Sequence, residues 1–240
     1  MYELAKLCDK IRMPRVVTQA LLGTSRDAFP GLSILRAHLC AACEAWAVYE
    51  TLGLSEEIYV DTMAAFSRFV REHKRSFGTY GFDRDFWTTR QTGCRLFRIG
   101  TLEYELCEEN GSRVISLHIP SDAMFTAQAL GDSIRDAKEI LERTFPQWAE
   151  LPRYCHSWLL SPDLQGMLPE TSGILYFQSL FDLEPDEDPG EVKLWVYGRE
   201  DIPDETLPEN TTLQRNLKKF LLEGNRFRSG KGLLKDAAFR

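Results

Sequence analysis

The chain has 240 residues, 43% of them hydrophobic and 27% charged, which suits a packed globular protein and excludes a disordered one. Its net charge of -7 and pI near 5.3 argue against nucleic-acid binding through a basic surface. No window approaches the roughly 18 unbroken apolar residues of a membrane span, and "MYELAKLCDKIRMP" scatters charges where a leader would be apolar, so a cytoplasmic protein with no membrane partner is expected.

The six cysteines are spread out and several sit in apolar runs, as reduced buried thiols do. "HLCAAC" sets Cys40 and Cys43 near His38, but no second ligand pair follows at zinc spacing, so a helix with two small residues is expected and no metal.

Residues 1 to about 75 read as helix. "ILRAHLCAACEAWAVYETLGL" puts Leu35, Leu39, Ala42, Cys43, Trp46 and Tyr49 on one stripe, and Gly53 ends it. The next helix has Ser55 as N-cap, Glu56 and Glu57 in its first turn, basic residues in its last, and Gly78 as its stop. The period then changes. "FDRDFWTTRQ" reads as a possible strand, and "CRLFRIGTLEYEL" alternates as one. Asn110-Gly111 signals a hairpin, so Arg95–Leu106 should pair antiparallel with Arg113–Ile119.

"PSDAMFTAQAL" reads as a loop and "GDSIRDAKEILERTFP" as a helix with Ile134, Ala137, Ile140 and Leu141 inward. "YCHSWLLSP" reads as a strand; adjacent Cys155, His156 and Ser157 point to alternate faces, so they form no catalytic row. A helix near Ser172–Leu180 follows, then strands "FDLEP" and "VKLWVYG", an acidic loop, and a helix capped by Thr211 or Thr212 with a basic tail. The helix between "VISLHIP" and "YCHSWLL" implies that these two strands are parallel.

That order resembles the GNAT-type N-acetyltransferase fold. The strings "IYVDTMAAFSRFVREH", "SLHIPSDA", "CHSWLLSP" and "TTLQRNLKKFLLEG" resemble a bacterial acyltransferase-domain family with a helical N-terminal domain and a GNAT-like C-terminal domain. The likeness covers residues 53–234 well and the first fifty less closely. It implies an α/β (α+β) fold: a mixed twisted sheet with helices on both faces, and a small helical domain over 1–54 before a GNAT-like domain over 55–240. It implies acetyl-CoA or another acyl-CoA as co-substrate and a small-molecule or peptide amine as acceptor.

Such chemistry needs backbone N–H groups for a diphosphate, a donor for the oxyanion, and groups that take and return protons. The family's Q/R-x-x-G-x-G/A loop maps onto Gln128, Gly131 and Ser133, with Asp132 a departure that places a carboxylate beside the diphosphate. Glu103 and Glu105 match a strand glutamate used as base; two acids on a solvated strand edge is the plainer reading. His118 and His156 lie mid-strand on neighbouring strands, as a proton relay or amine contact, or as core histidines with backbone partners. Tyr176 stands for the family's acid, but "LYFQSLF" reverses the Phe-Tyr order, so its phenol is expected to point elsewhere. Arg90, Gln91 and Arg95 either hold an anion or pair with acidic groups. Two readings stay open: an acyl-CoA-dependent acyltransferase, and a GNAT-shaped binding or regulatory module without catalysis. A hydrolase built on Cys155 lacks the glycine-lined nucleophile turn.

Overall fold

The computed structural model describes residues 2–23, 28–109, 111–186 and 191–239. Asn110 lies outside the described residues, so the Asn-Gly turn is seen only through the strands it joins. Among the described residues five helices come first: α1 (Leu4–Lys10), α2 (Arg15–Leu22), α3 (Leu32–Leu52), α4 (Glu56–Phe77) and α5 (Asp85–Thr92). α4 starts where Ser55 Oγ accepts the Ile58 N–H at 3.3 Å, and it stops at Gly78, which takes φ +73°. α5 replaces the expected strand. Its buried residues, Thr88 and Gln91, are polar and three apart, so no apolar stripe announces a helix.

Among the described residues the sheet has six strands: β1 (Leu96–Ile99), β2 (Leu102–Glu109), β3 (Ser112–His118), β4 (Arg153–Ser157), β5 (Phe181–Pro185) and β6 (Gly230–Leu234), in the order β1-β2-β3-β4-β6-β5. The alternation expected as one strand from Arg95 to Leu106 is two strands folded back at Gly100, whose φ of +63° suits glycine. β3 and β4 are parallel, and the other pairs are antiparallel. α6 (Ala127–Thr144) makes the crossover between β3 and β4 and packs on the face carrying Leu102 and Tyr104. α4 and α5 cover the opposite face of β1 to β3.

β4 is shorter than expected: Ser157 Oγ accepts the Leu159 N–H at 3.1 Å and starts a 3-10 turn, Trp158–Leu160. α7 (Gly173–Ser179) precedes β5, and α8 (Val192–Tyr197) and α9 (Thr212–Leu222) precede β6. Two corrections fall here. "VKLWVYG" is α8, because Val192 and Tyr197 are buried in a satellite cluster with Leu164, Leu207 and Leu217 rather than in a sheet. The last strand is "GKGLL", from the expected basic tail. Two of its three inward positions are glycines because a Cβ on Gly230 would lie 2.2 Å from the Leu160 carbonyl oxygen, and one on Gly232 would lie 2.8 Å from Phe181 Cβ.

One buried cluster runs from Leu7 and Leu39 in the helices through Phe97, Ile115 and Cys155 in the sheet to Leu234. Tyr49 of α3 meets Phe97 edge-on at 5.5 Å, so helices and sheet share a core. No described helix is long and apolar enough to cross a membrane.

Candidate acyl-transfer site

The parallel ladder between β3 and β4 has two residue pairs only, Ile115 with Arg153 and Ser116 with Tyr154. Past them the strands part. Because side chains alternate, His118 and His156, each two residues beyond the last pair, project from the same face. Both line a cavity of ≈ 590 Å³ that opens at this parting. Arg68, Phe69 and Glu72 of α4 and Trp87 of α5 form one wall; Trp158, Ile174 and Trp195 form another. Pro120, Ser121 and Phe125, on the connection from β3 to α6, line it as well. α8 reaches the cavity because the satellite docks on α4: Arg199 lies over the Phe77 ring at 5.4 Å, and Trp195 meets Trp87 at 6.4 Å.

His118 Nε2 and Glu105 Oε2 are hydrogen-bonded at 2.9 Å. Glu105 also accepts from Arg90 Nε at 3.2 Å and lies 3.5 Å from Arg95 Nε. Burial pushes the Glu105 carboxyl upward, but the His118 hydrogen bond and the charges of His118, Arg90 and Arg95 outweigh it and hold it below the ordinary range. An ionised Glu105 accepts a hydrogen bond from Nε2–H, which fixes the tautomer and, in the neutral ring, leaves the lone pair on Nδ1. The Trp87 ring stands edge-on to the imidazole at 4.9 Å and limits its rotation.

Glu103 shares the Glu105 face, yet its partner is different. Arg68 Nη2 donates to Glu103 Oε1 at 2.9 Å, with both side chains nearly inaccessible. Neither acid is the solvated strand edge that two alternating glutamates suggest. Arg90 and Arg95 are both taken by Glu105, which settles their partner as acidic. His156 Nε2 lies 3.2 Å from Asp186 Oδ2, and its side chain is half-exposed at the cavity.

Three expected positions lie elsewhere. Tyr176 is exposed on α7 and does not line the cavity, whereas Ile174, two residues earlier, does. Gly131 and Ser133 are inside α6, because Thr126 caps the helix five residues before Gly131 by accepting the Ala129 N–H at 3.2 Å. Ser133 is fully buried: its Oγ accepts from the Leu102 N–H at 3.2 Å and donates to the Ile99 carbonyl, and its own carbonyl accepts from Tyr104 Oη at 3.0 Å. It latches the β1–β2 turn to α6 and is closed to a phosphate. Asp132 turns to Arg135 along the same helix. Gln128 stays at the first turn, where the N–H groups of Ala127 and Gln128 have no acceptor among the described residues.

Sequence reasoning missed Arg68, Phe125 and the tryptophans. Three of the chain's five tryptophans line this one cavity, and that clustering exists only after folding.

Residues 96–234 match the model of the GNAT-like C-terminal domain, and residues 24–94 match that of the N-acyltransferase N-terminal domain. A comparison with curated protein sequences gave no match. Among solved structures, an acyltransferase in complex with decanoyl-CoA and teicoplanin superposes with a TM-score of 0.87 at 20% identity, over 97% of this chain and 87% of the other. An acyltransferase in complex with CoA and 10C-teicoplanin gives the same values. An acyltransferase in complex with decanoyl-CoA gives 0.77 at 23% identity, over 96% and 75%. At that identity the likeness is one of fold. The chain belongs to the family of the GNAT-like C-terminal domain, joined here to an N-acyltransferase N-terminal domain.

Proposed function

We infer that the protein transfers an acyl group from an acyl-CoA thioester to an amine on a small-molecule or peptide acceptor. One observation carries the reading: β3 and β4 part at a cavity that the connection from β3 to α6 also lines, and a carboxylate-held histidine faces it. The free N–H groups of Ala127 and Gln128 suit a diphosphate. The released backbone edges past Ser116 and Tyr154 suit an amide-bearing pantetheine arm and a thioester carbonyl. Glu72, Glu191 and the tryptophan rings suit an incoming ammonium.

In the reaction the bound ammonium first gives one proton to water, and His118 Nδ1 takes a second as the freed amine nitrogen attacks the carbonyl carbon. The tetrahedral intermediate collapses, the C–S bond breaks, and His156, held by Asp186, returns a proton to the thiolate. The relatives in complex with decanoyl-CoA support a donor of medium chain length. A thioester donor of this kind keeps the expected location cytoplasmic.

The test is a thermal-shift series with CoA, acetyl-CoA, octanoyl-CoA and decanoyl-CoA, followed by thiol release with a panel of amines. Stabilisation by at least one acyl-CoA and amine-dependent thiol release are expected. No shift at millimolar ligand would sink the reading. The position of Tyr176 outside the cavity favours a second reading, a binding module; acyl-CoA binding without release from any amine would select it.

A further inference from the structure

Residues 119–126, between β3 and α6, contain no helix or strand, yet side chains from elsewhere hold them at consecutive points. Glu72 of α4 accepts a hydrogen bond from Ser121 Oγ. Asp122 Oδ1 accepts from Arg98 Nη1 of β1 at 2.8 Å and from Arg68 Nη1 of α4 at 3.5 Å. Thr101 Oγ1, in the β1–β2 turn, accepts the Met124 N–H at 2.5 Å and donates to the Met124 carbonyl at 3.4 Å. The Ala123 N–H donates to the Pro120 carbonyl at 2.9 Å. On the far side, Phe125 packs edge-on against Phe177 at 5.6 Å, and its carbonyl oxygen lies 2.3 Å from where a Cβ on Gly173 would be.

An exposed aspartate paired with an arginine adds little to stability. Asp122 is 56% exposed, whereas Arg98 and Arg68 are 13% and 8% exposed. The two arginines therefore do little for the fold through this contact. What they do is fix the path of the chain as it enters the first turn of α6, where the unpaired N–H groups are.

We propose that Arg68, Arg98 and Thr101 are positioning residues that hold this connection in its ligand-binding form before an acyl-CoA arrives. The proposal rests on the acyl-CoA reading and adds the parts that set its affinity. A loop ordered only on binding loses conformational freedom at that moment and weakens affinity; a loop already ordered does not. Arg68 comes from the segment matching the N-acyltransferase N-terminal domain and Asp122 from the GNAT-like one. The helical region thus acts on the donor site by placing this loop.

Asp122→Asn keeps the side chain's shape and removes its charge; Thr101→Val keeps the shape and removes the hydroxyl. Dissociation constants for CoA and decanoyl-CoA are measured by calorimetry, with melting temperature, the KM of the acceptor and amide exchange of the ligand-free protein. Each variant should weaken both ligands by about three- to tenfold, the scale of ordering a short segment, and leave the acceptor KM unchanged. The Ala123 and Met124 amides should be protected in the ligand-free wild type, and Met124 should lose protection in Thr101→Val. Wild-type dissociation constants in folded variants would overturn the proposal, as would coil-like exchange at Ala123 and Met124 in the wild type. If the wild type bound neither ligand, the acyl-CoA reading and the positioning roles would fall together, while protected amides would still uphold the preassembled loop.

Discussion

Replacing Arg68 with methionine leaves Glu103, 2% exposed, with no cation at its carboxylate. The pair is close, 2.9 Å, and both members are nearly out of water, so neither solvent nor salt can substitute for the missing guanidinium. Stranding one member of a buried pair costs about 3–5 kcal/mol. Asp122 changes this little, since it is mostly exposed and keeps Arg98. At about 2–4 °C per kcal/mol for a chain of this size, the melting temperature should fall by about 6–20 °C. The double variant Arg68→Met with Glu103→Leu removes both charges and should return to within about 1 kcal/mol of wild type or above it. Urea unfolding at pH 7, followed by tryptophan fluorescence, measures all three proteins. A single-variant cost under about 1 kcal/mol, or a double variant no better than the single, would show that this pair is not the desolvated one described.

Glu105→Gln keeps a hydrogen bond to His118 but removes the charge that fixes its tautomer; kcat should drop by about 10–100-fold, less than the roughly 10²–10⁴-fold of general-base assistance as a whole because the imidazole itself remains. The Glu105 carboxyl sits below its ordinary value, so the stability it supplies is complete above the unfolded carboxyl range, near 4.5, and is lost as pH falls through the folded value. Glu105→Gln should therefore flatten the acid limb of a stability-versus-pH curve, and an unchanged limb would count against the assignment. Gly230→Ala drives a methyl into the Leu160 carbonyl and should cost about 1–3 kcal/mol in the same urea assay. Tyr176→Phe should leave turnover unchanged, because the phenol is outside the cavity; a large loss would mean that α7 moves during the reaction.

What the sequence discloses depends on whether the physics is local. Ser55 and Gly78 mark α4 because a cap and a left-handed stop are made within a turn. The parallel β3–β4 pair follows from the helix between them, and it brings His118 and His156 to one face. "GKGLL" hides because its inward residues are defined by what they must not touch, Leu160 and Phe181, which lie far away in sequence. "VKLWVYG" misleads because valines and aromatics read as strand until the satellite cluster claims them. Gln128, Gly131 and Ser133 fit a motif spacing, but the cap at Thr126 moves the helix start ahead of it, so the motif falls on the wrong side of the loop. Glu105 was visible as an acid; its partnership with His118, Arg90 and Arg95 is tertiary.

The two-pair ladder between β3 and β4 has a mechanical consequence. β2 and β3 are joined by seven register pairs and β4 and β6 by four, so the seam at the cavity is the weakest line across the sheet. The molecule is in effect two half-sheets sewn by a short stitch, with a wedge of unpaired backbone beyond it. A ligand with amide groups laid in that wedge takes the place of the missing rungs, so that occupying the site would stiffen the whole sheet against splaying along its one soft seam.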